Sequence, residues 1–336
     1  MQPEISSPRR RRAVLAVAVV LATLATTALG LYGYLMWTPA PTGAALSGQV
    51  VGSTLTVGGR DRTYTAYVPP RLASGAPLLV VLHGSFENGA AVRRNTGYGF
   101  DDLADRYGFA VAYPDGYQEG WNDCRRVAAT PARRENVDDV GFVRALTADM
   151  HRRYGVDDTK FYAAGYSNGG QMVFRLAAEM PDRLAGIAAI AANLPVTADN
   201  SCPPMTGAVP VLIMAGTDDP ISPFAGGEVT IFGFSSRGRV MSADDTTKMF
   251  VRLNGTTDAP VTRTLAHREP ATDTTVRETV YSESDKAPVV QYTISGGGHV
   301  IPTAHHRYPR LLGRTSHDVD APAAISDFFA FARKQP

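Results

Sequence analysis

Hydrophobic and polar positions divide the 336-residue chain into three regimes. Residues 13–37 form the first, 25 consecutive positions without a charge, preceded by Arg9, Arg10, Arg11 and Arg12 and closing on Tyr32, Tyr34 and Trp37. That run exceeds the roughly 7–15 apolar residues of a cleaved secretory signal. It is long enough to cross a bilayer, with aromatics where a membrane interface holds them. Residues 38–47, "TPAPTGAALS", have no apolar period and read as a linker. From residue 49 onward, apolar runs of strand length alternate with segments of helical period.

Residues 49–57 and 63–68 alternate polar and apolar around the turn Gly58-Gly59-Arg60-Asp61 and predict two strands. Residues 77–84 ("PLLVVLHG") and 108–116 ("GFAVAYPDG") are continuous apolar runs, as strands buried on both faces require. Residues 137–155 predict a helix, with Val140, Phe142, Val143, Leu146 and Met150 near one face and Gly155 after the last turn. A strand over 159–167 runs straight into a helix over 168–181 that Pro181 stops. Further buried strands follow in "LAGIAAIAANLP", in 209–216 and in 288–298, with a last helix in "DAPAAISDFFAFARKQ". Buried strands alternating with helices predict an α/β fold with a mainly parallel sheet. Residues 217–287 are the least periodic and suit an insertion over the active face.

Composition adds little to this pattern, and charge adds more. Hydrophobic content of 44% and charged content of 19% suit a globular domain with a core. Of the net charge of +1, the first 37 residues, with four arginines and one glutamate, supply +3, so the rest carries −2. A near-neutral body without a basic stripe is no footprint for nucleic acid. The arginine cluster places residues 1–12 in the cytoplasm and everything after Pro39 outside, by the positive-inside rule. The readings are an uncleaved anchor, a long signal peptide cut near Ala28-Leu29-Gly30, or a degenerate twin-arginine signal around Arg11-Arg12; each makes the body extracytoplasmic. Cys124 and Cys202 are then a disulfide candidate, the alternative being two buried free thiols. No Cys/His spacing suggests zinc, and no metal or cofactor is expected.

Candidate chemistry centres on "AAGYSNGGQM", where Ser167 stands in the pattern G-x-S-x-G between the strand and the helix. A strand, a sharp turn and a helix are what a nucleophile elbow needs. Gly165 and Gly169 leave out side chains at the turn, and Gly170 allows tight helix packing. A serine hydroxyl needs a base and an orienting acid, expected in the order Ser, Asp or Glu, His, each after a strand. Thr217-Asp218-Asp219-Pro220 follows the strand at 209–216, and His299 follows the glycines that end 288–298. Either aspartate can serve, with Asp219 favoured. His151, His267, His305, His306 and His317 read as surface residues. His83-Gly84-Ser85 ends the first long buried strand, so the oxyanion donors are expected to be the Ser85 and Asn168 backbone N–H groups. His83 then serves as a structural ring.

These residues, with the ordered blocks "LVVLHGS", "YPDGYQEGWND", "NVDDVGFVRAL", "FYAAGYSNGGQMVFRLA", "PVLIMAGTDDPISPFAGG", "GGGHVIP" and "RLLGRTSHDVDA", resemble extracellular esterases grouped with polyhydroxybutyrate depolymerases and feruloyl esterases. The resemblance covers nearly everything from about residue 49 onward. It implies an α/β-hydrolase fold, Ser167, Asp219 and His299 as the triad, and a substrate cleft near Trp121-Asn122-Asp123. Two departures stand out: Ser85 replaces a cysteine common in relatives, and Val300-Ile301 replaces a Thr-Trp pair, which removes an aromatic wall. No polymer-binding module is recognised, which argues against action on crystalline polymer.

The organisation expected is a signal anchor or signal peptide over 1–37, a linker over 38–48 and an esterase domain over 49–336. The activity expected is hydrolysis of small-molecule or polymer carboxylic esters, polyhydroxybutyrate depolymerase-like. Feruloyl or acetylxylan ester hydrolysis is the alternative. More distant are a serine peptidase or acyltransferase and a non-catalytic envelope binding protein. The partners expected are the ester substrate and a membrane, through the N-terminal helix.

Overall fold

Alternate residues of a strand face opposite sides of its sheet, and the apolar runs divide accordingly. A computed structural model describes residues 8–41, 45–128, 130–256, 259–268 and 273–331. Its first elements are helix α1 (Pro8–Met36), strands β1 (Gln49–Val57), β2 (Arg60–Val68) and β3 (Leu78–Leu82), and helices α2 (Gly89–Asn95) and α3 (Gly99–Tyr107). Next come β4 (Ala110–Pro114), α4 (Pro131–Arg134), α5 (Asp139–Tyr154), β5 (Phe161–Tyr166), α6 (Asn168–Glu179), β6 (Leu184–Ile190) and β7 (Val211–Gly216). The chain ends with β8 (Gly227–Thr230), β9 (Ser236–Val240), α7 (Ala243–Asn254), β10 (Val261–Thr264), β11 (Thr275–Tyr281), β12 (Val289–Ser295) and α8 (Ala321–Phe328).

In β3, Leu78, Val80 and Leu82 join one hydrophobic core while Leu79 and Val81 join the other. β5 divides the same way, Phe161 and Ala163 against Tyr162, Ala164 and Tyr166, and so does β7, Val211 and Ile213 against Leu212 and Met214. The first core is closed by α5, α6 and α7 and the second by α2, α3 and α8. The whole predicted apolar face of α5, Val140 to Met150, is buried. The sheet runs β1-β2-β4-β3-β5-β6-β7-β12-β11-β10. From β4 to β12 neighbours are parallel, and antiparallel pairs close both edges. A mainly parallel sheet between helical layers is the α/β-hydrolase arrangement expected from the sequence.

Differences from expectation are local. The stretch between residues 85 and 107, without a predicted element, holds α2 and α3, of seven and nine residues. Gly108, placed in a strand by its apolar neighbours, is instead the left-handed cap of α3 at φ 65°. The aperiodic stretch 217–287 holds α7 and two strands that widen the sheet, and the separate hairpin β8–β9. Residues 332–335 of the predicted last helix and residues 42–44 of the linker lie outside the described residues.

In α1, residues Leu15–Met36 are long and apolar enough to cross a membrane, and none of that stretch is buried in the protein. Its far end touches the domain through Arg310, whose Nη1 donates to the Tyr34 carbonyl at 3.0 Å with the guanidinium 4.4 Å from the Tyr34 ring centre.

Candidate active site

Ser167 sits between β5 and α6 at φ 53° and ψ −115°, a conformation that side chains other than glycine rarely adopt. Such a position costs about 1–3 kcal/mol and persists only where the surroundings over-determine it. Here they do. A Cβ on Gly165 would fall 2.3 Å from the Gly169 carbonyl oxygen, and one on Gly169 would fall 2.2 Å from that of Leu82. The Ser167 N–H donates to the Ile190 carbonyl at 2.8 Å. Every other residue from Phe161 to Gly170 is buried, so the turn offers one side chain outward.

That side chain meets a histidine. His299 Nε2 lies 2.8 Å from Ser167 Oγ, and His299 Nδ1 lies 2.7 Å from Asp219 Oδ2. Asp219 Oδ1 accepts the Ile221 and Ser222 N–H groups, both at 2.8 Å. An ionised carboxylate that already takes two amide donors draws the imidazole proton to Nδ1, which leaves the Nε2 lone pair for the serine hydroxyl. The side chains of His299 and Asp219 are almost wholly buried. Asp218, the other aspartate considered, points into solvent 3.8 Å from Arg314. His299 is fixed through its backbone as well, its N–H donating to Leu312 O and its carbonyl accepting the Tyr166 hydroxyl at 2.8 Å.

The segment after β3 lies against the start of α6, as the contact of Gly169 with the Leu82 and His83 carbonyls requires. The backbone N–H groups of Ser85 and Asn168 find no acceptor among the described residues. His83 is wholly buried; its Nε2 accepts the Gly116 N–H at 2.8 Å and its Nδ1 lies 2.6 Å from the Gly84 carbonyl. Accepting the Gly116 N–H needs the neutral ring with its proton on Nδ1, and burial lowers the His83 pKa from 6.5 to about 4. Glu87, which sequence reasoning passed over, accepts the Gly84 N–H at 3.0 Å and the Asn95 side-chain amide at 2.8 Å. Burial raises its pKa.

Trp121 is not on a cleft surface. It is fully buried, as are Asn122 and Asp123. The indole N–H donates to the His83 carbonyl at 2.9 Å, and the Trp121 N–H donates to Asn168 Oδ1 at 2.8 Å. The Asn168 side-chain amide donates in turn to Asp123 at 2.6 Å. The "GWND" block therefore braces the elbow and the loop opposite it from behind, where a substrate would not touch it. Asp139 extends the brace: it accepts the Asn122 N–H and pairs with buried Arg62, both at 2.7 Å. Cys124 and Cys202 form a disulfide with Cα atoms 5.1 Å apart, tying this block to the segment after β6. Val300 and Ile301, at the position of the missing aromatic wall, are buried in the second core.

With the geometry in place, the comparisons decide the family. A family model described as "Esterase PHB depolymerase" matches residues 62–274. The chain belongs to the PHB depolymerase family of esterases. The match carries Ser167 and Asp219 and ends before His299, which the geometry alone brings to them. The esterase is 33% identical to the NocK protein of Nocardia uniformis subsp. tsuyamanensis over 281 residues, 81% of this chain and 80% of that one. It is 26% identical to poly(3-hydroxyalkanoate) depolymerase C of Paucimonas lemoignei over 256 residues, 70% of this chain but 58% of the depolymerase. An acetyl xylan esterase from Aspergillus awamori shares the fold at a TM-score of 0.54 and 17% identity, covering 84% of this esterase and all 100% of that chain. The protein is thus a carboxylic ester hydrolase with relatives among depolymerases and acetylxylan esterases.

Proposed function

We propose that the protein is an extracytoplasmic serine esterase that works through an acyl-enzyme. The observation that carries this reading is the unbroken chain Ser167 Oγ, His299, Asp219, at 2.8 and 2.7 Å, on an elbow held in a strained conformation. Ser167 Oγ attacks the ester carbonyl as His299 Nε2 takes its proton. Asp219 holds the ring in the needed tautomer and stabilises the imidazolium that forms. The Ser85 and Asn168 N–H groups receive the oxyanion; one such donor is typically worth about 3–4 kcal/mol in the transition state. His299 then returns the proton to the leaving alkoxide, and a water activated by the same nitrogen releases the acid. Residues 49–336 form the catalytic domain, 38–48 the linker and 1–37 the anchor, with the domain outside the membrane. Likeness to the Paucimonas depolymerase puts hydroxyalkanoate esters first among substrates, ahead of feruloyl and acetylxylan esters.

The test is hydrolysis of short-chain 4-nitrophenyl esters by the full chain. Ser167→Ala is expected to lower kcat by at least about 10⁴-fold with folding unchanged by circular dichroism. Undiminished turnover in that variant contradicts the reading.

A further inference from the structure

The hairpin β8–β9 links the loop of Asp219 to the segment that follows the GWND block. At one end the Thr230 N–H donates to the carbonyl of Ile221, in the loop of Asp219. At the other, a Cβ on Gly238 would meet Val127 at 3.1 Å and Arg125 at 3.7 Å. Between them Arg237 extends toward the segment after β3, its guanidinium carbon 5.8 Å from the ring centre of Phe86. Phe86 directly follows Ser85. It is 66% exposed, a large apolar ring held beside Ser85 by φ 64° and by its N–H donating to the Glu119 carbonyl.

Among the described residues Arg237 makes no ion pair. Asp123, the carboxylate that attracts it, is already engaged by the Arg125 N–H, Nε and Nη2 and by Asn168. Arg125 and Arg134 add positive charge on the same side, and the Arg237 pKa is lowered by burial first and by Arg125 next. Its Nε is shut off from solvent and has no hydrogen-bond partner among the described residues. Buried donors are rarely left unpaired in a finished structure, and an orphan here needs a reason.

We infer that Arg237 determines specificity by pairing with a carboxylate on the substrate, while Phe86 covers the apolar or aromatic stretch next to it. The inference rests on the esterase reading and narrows it to anionic esters: half-esters of dicarboxylic acids, or esters whose alcohol side carries a free carboxylate. A guanidinium presents a planar fork that matches a carboxylate at two points, and the half-buried setting protects the pair from screening.

The experiment compares kcat/KM for two matched pairs with the full chain. On the acyl side the pair is 4-nitrophenyl hydrogen glutarate and its methyl ester. On the alcohol side it is 4-acetoxybenzoate and its methyl ester. In at least one pair the anion is expected to be favoured by about tenfold or more, the range of a charge-assisted hydrogen bond. Arg237→Gln is expected to cut that ratio about tenfold, and Arg237→Lys to keep part of it. Ratios near one in both pairs, or a ratio that Arg237→Gln leaves unchanged, overturn the inference while the esterase reading stands. Folded wild-type protein that hydrolyses none of the four esters overturns both.

Discussion

Ser167 can hold its conformation because backbone, not side chain, surrounds it. The glycines at 165 and 169 let three segments meet at distances that a single methyl group would prevent. The pattern G-x-S-x-G was legible for that reason: it records a steric requirement. The distinction between Asp218 and Asp219 was not legible, since adjacent residues differ only in which way the turn points them. The structure separates them by two amide donors and a histidine on one, and solvent around the other. Asp219→Asn is expected to lower kcat by about 10³–10⁴-fold, because an amide that keeps the geometry favours the wrong tautomer. Asp218→Asn is expected to change kcat less than about twofold, as surface substitutions do. Steady-state hydrolysis of a short-chain 4-nitrophenyl ester measures both. Trp121 taught the opposite lesson. Its place in a family block pointed to the cleft, but its neighbours in space, His83 and Asn168, make it a brace. Tyr166 was missed because its partner, the His299 carbonyl, is a backbone group that no side-chain pattern records, and Glu87 because it joins the Gly84 N–H to the Asn95 side chain.

Among the elements, long buried strands and the two long helices were readable because their period runs for many residues. Short helices and the hairpin were not, since α2 and α3 run for only seven and nine residues and β8–β9 gains its order from Val229 and Val240 packing on Ile221. The segment from His83 to Phe86 has no regular structure, and its shape depends on one buried ring. His83 is neutral in the folded protein, with a pKa near 4, and returns to 6.5 when exposed. The unfolded chain therefore binds more protons between those values, so stability is complete above about pH 6.5 and falls as the pH drops toward 4. The full effect is about 3 kcal/mol. Urea unfolding at pH 7 and pH 4.5 is expected to show a smaller pH dependence in His83→Gln than in the wild type. An equal slope in the two proteins contradicts a buried neutral ring.

For the molecule as a whole, alternation of strands and helices forecast the layers, but no local pattern carries the strand order. Which strand lies beside which follows from long-range packing that a linear reading does not contain. The Cys124–Cys202 disulfide closes across 78 residues, around the elbow and α6. Chain entropy puts its contribution at about 4.5 kcal/mol. Reduction is expected to lower the urea midpoint without unfolding the protein at 25 °C, because the buried ion pair of Arg62 with Asp139 and the Asn168 contacts hold the same block. Urea titrations with and without dithiothreitol measure this shift, and coincident midpoints contradict it.

The central claim is that Ser167 is the nucleophile, activated by His299 and Asp219. Its most direct measurement is reaction of the full chain with a fluorophosphonate, followed by intact-mass analysis and peptide mapping. The account predicts one stoichiometric adduct on the peptide containing Ser167, lost in Ser167→Ala and slowed strongly in His299→Ala. Folded protein that takes up no probe, or an adduct that persists in Ser167→Ala, contradicts it.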